Sequence, residues 1–274
     1  MMYIKLNRSL VSLITGILLL GFTPVTARAD FYAVVPSEYA NLETGYEMGE
    51  PLDDYGSEAG QGQALQYVIP ERFMAGLLNQ TLTGLGFRLN NNYASPDLPA
   101  FGYERYLIQL SVYNSTDPLS LTFTNNQSSP TTVLDSAYSF RAGAFPAGAS
   151  GDTPNAFGDF FAFQTTYNYT GGNLLVTIRH SQSTMPEYVS FLDWIPEAYL
   201  GDFSSILAHN MDATDVDQLW GNSPVTEFTT LELNSNGTLA GAVPEPSLMS
   251  LLLLGTMGFG GYTFWNRRRT KRAS

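Results

Sequence analysis

Residues 248–265 form a run of 18 residues without a charge. At about 1.5 Å of rise per residue the run makes about 27 Å of α-helix, close to the hydrocarbon thickness of a bilayer. In lipid every backbone N–H and C=O must be bonded internally, so a lone span has little choice but helix. Gly255, Gly258, Gly260 and Gly261 would weaken that helix in water and are tolerated in lipid. Tyr262, Phe264 and Trp265 stand at the far end, where an aromatic belt belongs. Arg267, Arg268, Arg269, Lys271 and Arg272 follow as a basic stop-transfer tail within residues 267–272. By the positive-inside rule this tail stays cytoplasmic, and the preceding residues are expected on the outer side. A GPI signal ends in its apolar tail and carries no such basic cluster.

Ahead of the span stands Val243-Pro244-Glu245-Pro246. Each proline fixes its own φ, lacks an N–H and biases its predecessor toward extended backbone. The motif is therefore a stiff extended peptide just outside the membrane, shaped for the groove of a processing enzyme. Motif, span and basic cluster, in that order over residues 243–274, resemble the PEP-CTERM sorting signal of exported bacterial proteins. The resemblance implies recognition by an exosortase, a membrane-embedded cysteine-protease-like enzyme, and removal of the tail. It also implies a Gram-negative producer in which sorting accompanies exopolysaccharide synthesis.

The other end carries a second export feature. Lys5 and Arg8 form a basic region, residues 10–22 an apolar stretch too short for a comfortable span, and Ala27-Arg28-Ala29 a small-x-small cleavage site. Residues 1–29 are expected to be a secretory signal peptide, with cleavage after Ala29 leaving Asp30 as the mature N-terminus. A retained N-terminal anchor is the alternative.

Between the labels lie residues 30–233, enough for one core, and a polar linker at 234–242. From residue 30 to 242 there are five arginines, no lysine and 24 acidic residues, a net charge of −19. That argues against nucleic acid and anionic lipid headgroups as partners of the domain. It fits colloidal solubility outside the cell, a saline habitat or divalent cations. The chain has no cysteine, so neither disulfides nor thiolate chemistry is available, and the core must suffice.

The domain is rich in Thr, Tyr, Phe, Gly, Asn and Pro, a strand-and-turn composition. Residues 119–124 alternate apolar and polar before the turn signal Asn125-Asn126. Tyr106, Ile108, Leu110 and Val112 alternate likewise. Residues 64–69, 82–89, 160–167, 174–179 and 225–233 are further strand candidates. Gly171-Gly172-Asn173 is predicted to join 160–167 to 174–179 as a hairpin. Residues 70–79 and 203–211 are predicted short helices. About eight strands point to a mainly β ectodomain, an antiparallel two-sheet sandwich that is jelly-roll-like, ahead of one C-terminal transmembrane helix. The segments 82–88, 119–126 and 171–179 are also similar to a recurrent ectodomain of exported PEP-CTERM proteins, a resemblance that brings no activity with it.

Chemistry-bearing residues are sparse. His180 and His209 are the only histidines, and no Gly-x-Ser-x-Gly elbow accompanies them. Asp212, Asp215 and Asp217 cluster hard oxygen ligands of the kind calcium takes, without the glycine and closing glutamate of an EF-hand loop. Asp53-Asp54 and residues 152–159 are also acidic. Trp194 and Trp220, with Tyr188 and Tyr199, lie among polar and turn residues and offer a sugar-stacking platform, or else core filling. The expectation is a non-enzymatic exported protein without an obligatory cofactor. It is sorted through an inner-membrane intermediate, with its domain in the periplasm, to the cell surface or matrix by the secretion machinery and an exosortase. The alternatives are an exopolysaccharide-binding module and a secreted sandwich-fold hydrolase, which would need two carboxylates facing each other across a cleft.

Overall fold

The computed structural model describes residues 30–44, 47–53, 57, 60–91, 98–113, 115, 117–148, 153–184, 191–195, 205–220 and 223–231. The chain divides into two units. Asp30–Leu239 holds every described residue. The expected signal peptide, linker, sorting motif, membrane span and basic tail lie outside the described residues, apart from Asp30. Among the described residues no helix is long and apolar enough to cross a membrane.

The described chain is mainly antiparallel β. A four-stranded sheet has the order β1 (Asp30–Val35), β13 (Thr226–Leu231), β4 (Thr81–Gly86), β7 (Phe161–Asn168). A six-stranded sheet has the order β11 (Gln218–Trp220), β10 (Ser205–Ala208), β3 (Gln63–Ile69), β8 (Asn173–His180), β5 (Phe101–Tyr113), β6 (Thr131–Phe140). A small third sheet is β12 (Ser223–Pro224), β9 (Leu192–Ile195), β2 (Glu47–Met48).

One core joins the two large sheets. Leu65, Tyr67 and Ile69 of β3 and Tyr106, Ile108 and Leu110 of β5 pack in the same cluster as Leu82 and Leu85 of β4, Phe161 of β7 and Phe228 of β13. Strand alternation turns these residues to one face, and burying them against a second sheet is the source of the sandwich-like arrangement. Tyr106 and Phe161 stack across the core with centroids 4.3 Å apart. On one flank the sheets are stitched by side chains. Tyr138 Oη of β6 donates to Phe160 O at 2.7 Å and accepts from Ala162 N at 3.1 Å, while Gln164 Oε1 of β7 accepts from Asp135 N at 3.1 Å.

The other face of the six-stranded sheet is also covered. Ala64, Val68, Leu175 and Ile206 pack under Leu119 and Phe123. Strands buried on both faces read as continuous apolar runs, which is why β3 and β8 show little alternation.

Four sequence expectations are corrected. Residues 119–124 make no strand: Thr122 forms an isolated bridge to Asp215, and Phe123–Asn126 is a 3-10 turn. Leu119 and Phe123 point into the second cluster while Leu121 stays exposed, so the alternation was that of a covering loop. Gly171 and Gly172 do adopt left-handed φ of 113° and 86°, but they close no hairpin. β7 pairs with β4, and β8 pairs with β3 and β5, so the turn carries the chain from one sheet to the other. Residues 203–211 hold strand β10 rather than a helix, because Ile206, Leu207 and Ala208 are buried between β3 and β11. In 70–79 the expected helix is two 3-10 turns, Glu71–Phe73 and Ala75–Leu77.

Candidate functional site

Among the described residues, Arg88, Asp193 and Glu43 gather in the interior. Past β4, alternation turns Phe87 into the core and Arg88 to the opposite face, where both are buried. β9 runs beside this extension: Asp193 N donates to Arg88 O at 3.1 Å, and Asn90 N to Phe191 O at 2.8 Å. Arg88 donates from Nε to Asp193 Oδ2 at 2.8 Å, from Nη2 to the same oxygen and Leu42 O, and from Nη1 to Tyr39 O at 2.8 Å. Asp193 Oδ1 accepts from Thr44 N at 3.2 Å, from Thr44 Oγ1 and from Asn90 Nδ2 at 3.3 Å. The two charged side chains are 1% and 0% exposed.

Glu43 lies beside this pair. Burial, then the charge of Asp193, holds its carboxyl well above the ordinary range, with the Asn91 N–H and Arg88 pulling the other way. A neutral acid next to a carboxylate is a familiar acid–base arrangement. Here it has no room to work. Glycoside hydrolysis sets its carboxyls about 5–9.5 Å apart around a sugar and, in inverting enzymes, a water. Asp193 is sealed from solvent and its lone pairs are occupied by protein donors. The arrangement fastens residues 39–44 to β4 and β9.

A second internal device holds the turn at residues 49–53. Trp194 Nε1 donates to Glu50 O at 3.0 Å, Tyr106 Oη to Pro51 O at 3.0 Å, and Tyr103 Oη to Leu52 O. Three successive carbonyls are thus satisfied by three aromatic side chains, and Leu52 is driven into the core. The Glu50 carboxyl is pushed up to about 8 by burial and then by neighbouring Asp53. His180 lies flat against Tyr106, 8° between planes at 5.5 Å. Its Nδ1–H donates to Ser181 O at 2.9 Å, its Nε2 is buried without a hydrogen-bond partner, and burial pushes it down to about 4.

These shifts set a pH dependence. Glu50, raised from 4.5, contributes stability that is full below about pH 4.5 and lost as pH rises through about 8. His180, lowered from 6.5, contributes stability that is full above about pH 6.5 and lost as pH falls through about 4. The two oppose each other between pH 4.5 and 6.5; above that His180 no longer acts, while Glu43 and Glu227, also raised by burial, lose stability in the same direction as Glu50. Urea midpoints are expected to fall from pH 6.5 to 8.5, and Glu50→Gln is expected to flatten the decline. An unchanged slope in that variant would remove Glu50 as its cause.

The sequence-predicted residues are dispersed. Trp194, offered as a sugar platform, is 0% exposed with its N–H engaged, so it is a core residue and that expectation is corrected. Trp220 closes β11 opposite Ser205, and its side chain lies outside the described residues, as do Tyr188 and Tyr199. Asp215 accepts from Thr122 Oγ1 at 2.7 Å and Thr214 Oγ1 at 3.0 Å. Asp217 accepts from His209 N at 2.8 Å and faces His209 Nδ1 at 3.5 Å. Asp212 N donates to Asn210 Oδ1 at 2.8 Å. Among the described residues no three carboxylates or imidazoles gather to hold a metal ion, so Asp212, Asp215 and Asp217 are not brought together as calcium would require.

Sequence reasoning missed Arg88, Asp193 and Glu43. The signal was there: one arginine inside Leu85-Gly86-Phe87-Arg88-Leu89 and one aspartate inside Phe191-Leu192-Asp193-Trp194-Ile195, lone opposite charges in apolar runs. Comparison of the chain with protein-family models, curated proteins and solved structures finds no match.

Proposed function

We propose that the chain is an exported, non-enzymatic protein of the cell surface or extracellular matrix, sorted through residues 243–274 by an exosortase. The carrying observation is the order of Val243-Pro244-Glu245-Pro246, an uncharged span at 248–265 and the cluster Arg267, Arg268, Arg269, Lys271, Arg272. The N-terminal basic and apolar stretches ahead of Ala27-Arg28-Ala29 support the same reading. The described strands are compatible with it: Asp30 of β1 pairs with Leu231 of β13, and cutting before Asp30 or beyond residue 242 would remove no described strand. The jelly-roll-like description of the sandwich belongs to this proposal. A non-enzymatic role is supported by the internal use of Arg88, Asp193, Glu43 and Glu50, whose polar atoms tie segments together.

Intact mass of the protein from the host envelope and medium tests the reading. The expected species begins at Asp30 and ends near Pro244–Pro246. Replacing Arg267, Arg268 and Arg269 together by alanine is expected to leave the protein unprocessed and mislocalised. Normal processing of that variant, or a wild-type protein that keeps residues 248–274 in every fraction, would overturn it.

A further inference from the structure

The outer face of the four-stranded sheet carries an arrangement that the packing does not use up. Alternation puts Phe228 and Leu85 into the core, so their neighbours Glu227 and Gly86 face outward, opposite one another. On the other side of Glu227 stands Val34 of β1. Phe160, just before β7, lays its ring on Gly86, where a Cβ would meet ring carbons at 3.0 Å. Tyr32 of β1 leans on Phe160 with centroids 5.4 Å apart and planes at 35°, yet is 52% exposed. At Gly84 a Cβ would come within 2.8 Å of Thr229 Oγ1 and 3.0 Å of Phe161 O, so Thr229 lies over this glycine as Phe160 lies over Gly86, and both glycines are buried. Glu227 is half-buried, and none of the described residues donates a hydrogen bond to its carboxyl.

We propose that Tyr32, Phe160 and Glu227 form a binding site for the pyranose rings of a neutral polysaccharide. A pyranose has one face of C–H groups and a rim of hydroxyls. The C–H face suits the exposed ring of Tyr32, backed by half-buried Phe160, and the hydroxyls are uncharged donors for a carboxyl that receives none from the described residues. Two observations favour a neutral ligand over an organic cation. Burial raises the Glu227 carboxyl to about 7, so at neutral pH it offers a cation less than a full charge. Arg72, stacked on Phe73 at 4.5 Å, lines the adjoining groove. That groove, ≈ 550 Å³ along β1, is lined by Tyr32 together with Phe31, Phe73 and Leu77, and Tyr32 is the residue it shares with the site. The site lies in the β domain alone and stands whether or not the tail is processed.

The test is affinity gel electrophoresis of the full chain in a sugar-free polyoxyethylene detergent. The gels contain hydroxyethylcellulose, galactomannan or dextran, with polygalacturonate and tetramethylammonium chloride as comparators. Retardation by at least one neutral polymer is expected. Tyr32→Ala is expected to weaken it by at least about tenfold and Glu227→Gln severalfold, while Leu121→Ala, an exposed apolar residue elsewhere, leaves it unchanged. Thermal unfolding at the wild-type temperature shows that Tyr32→Ala is folded; should it not be, Tyr32→Ser at the same exposed position replaces it, and Glu227→Gln, which keeps the side-chain shape, is the second reading. No retardation by any neutral polymer, retardation by polygalacturonate alone, competition by tetramethylammonium, or undiminished binding in both variants would each overturn the proposal.

Discussion

Replacing Asp193 by alanine is expected to destabilise the domain by about 3–5 kcal/mol, read as a lower urea midpoint with an unchanged slope. The carboxylate is 0% exposed and receives Arg88, Thr44 and Asn90. Without it the guanidinium remains in the interior with only Tyr39 O, Leu42 O and the Phe157 ring, 5.3 Å from Cζ, to receive it. An unpaired buried charge is what makes single deletions of this kind severe. Glu43 is the internal control. Its carboxyl is held neutral in part by the charge of Asp193, so in the variant it is expected to ionise more readily and recover part of the loss at high pH. The double change Arg88→Met with Asp193→Leu is expected to be milder than Asp193→Ala, because neither charge then has to be desolvated. A loss below about 1 kcal/mol for Asp193→Ala would mean that water reaches Arg88 and that the lock is not closed.

Trp194→Ala is expected to be comparably damaging, about 3–5 kcal/mol, through the cavity left by the largest fully buried side chain among the described residues. It also strands the Glu50 carbonyl, which accepts the indole N–H at 3.0 Å. Trp194→Phe separates the two effects. It keeps much of the ring volume and loses the donor, and an intermediate loss of about 1–3 kcal/mol is expected. In either variant the folded fraction is expected to retain any polysaccharide binding, since the residue never meets solvent. A Trp194→Phe protein of full stability that had lost glycan binding would return the residue to the surface role first read from its sequence surroundings.

The strands were the most readable part of the chain. Residues 64–69, 82–89, 160–167, 174–179 and 225–233 overlap β3, β4, β7, β8 and β13, and the alternation at Tyr106, Ile108, Leu110 and Val112 lies within β5. β6 escaped notice because Ser136, Ala137 and Ser139 weaken its pattern and two register shifts against β5 interrupt its period. The short strand β10 passed for a helix because a four-residue run buried on both faces has no period to read.

Backbone stiffness, hydrophobic run length and side-chain alternation act over a few neighbouring residues, so the sequence by itself determined that the chain is β-rich, stapled by no disulfide and strongly acidic between two apolar ends. It also determined the local geometry of Gly171-Gly172, whose positive φ only glycine adopts freely. What it could not determine was which strands that turn connects in space, since pairing is decided by the faces that must be buried together. The same holds for the charged residues. Arg88 and Asp193 are 105 positions apart, and neither is stable inside alone. Only when β9 comes to lie beside residues 88–90 does each become the other's counter-ion, and only the assembled sandwich decides that Trp194 turns inward while Tyr32, at the start of β1, stays out.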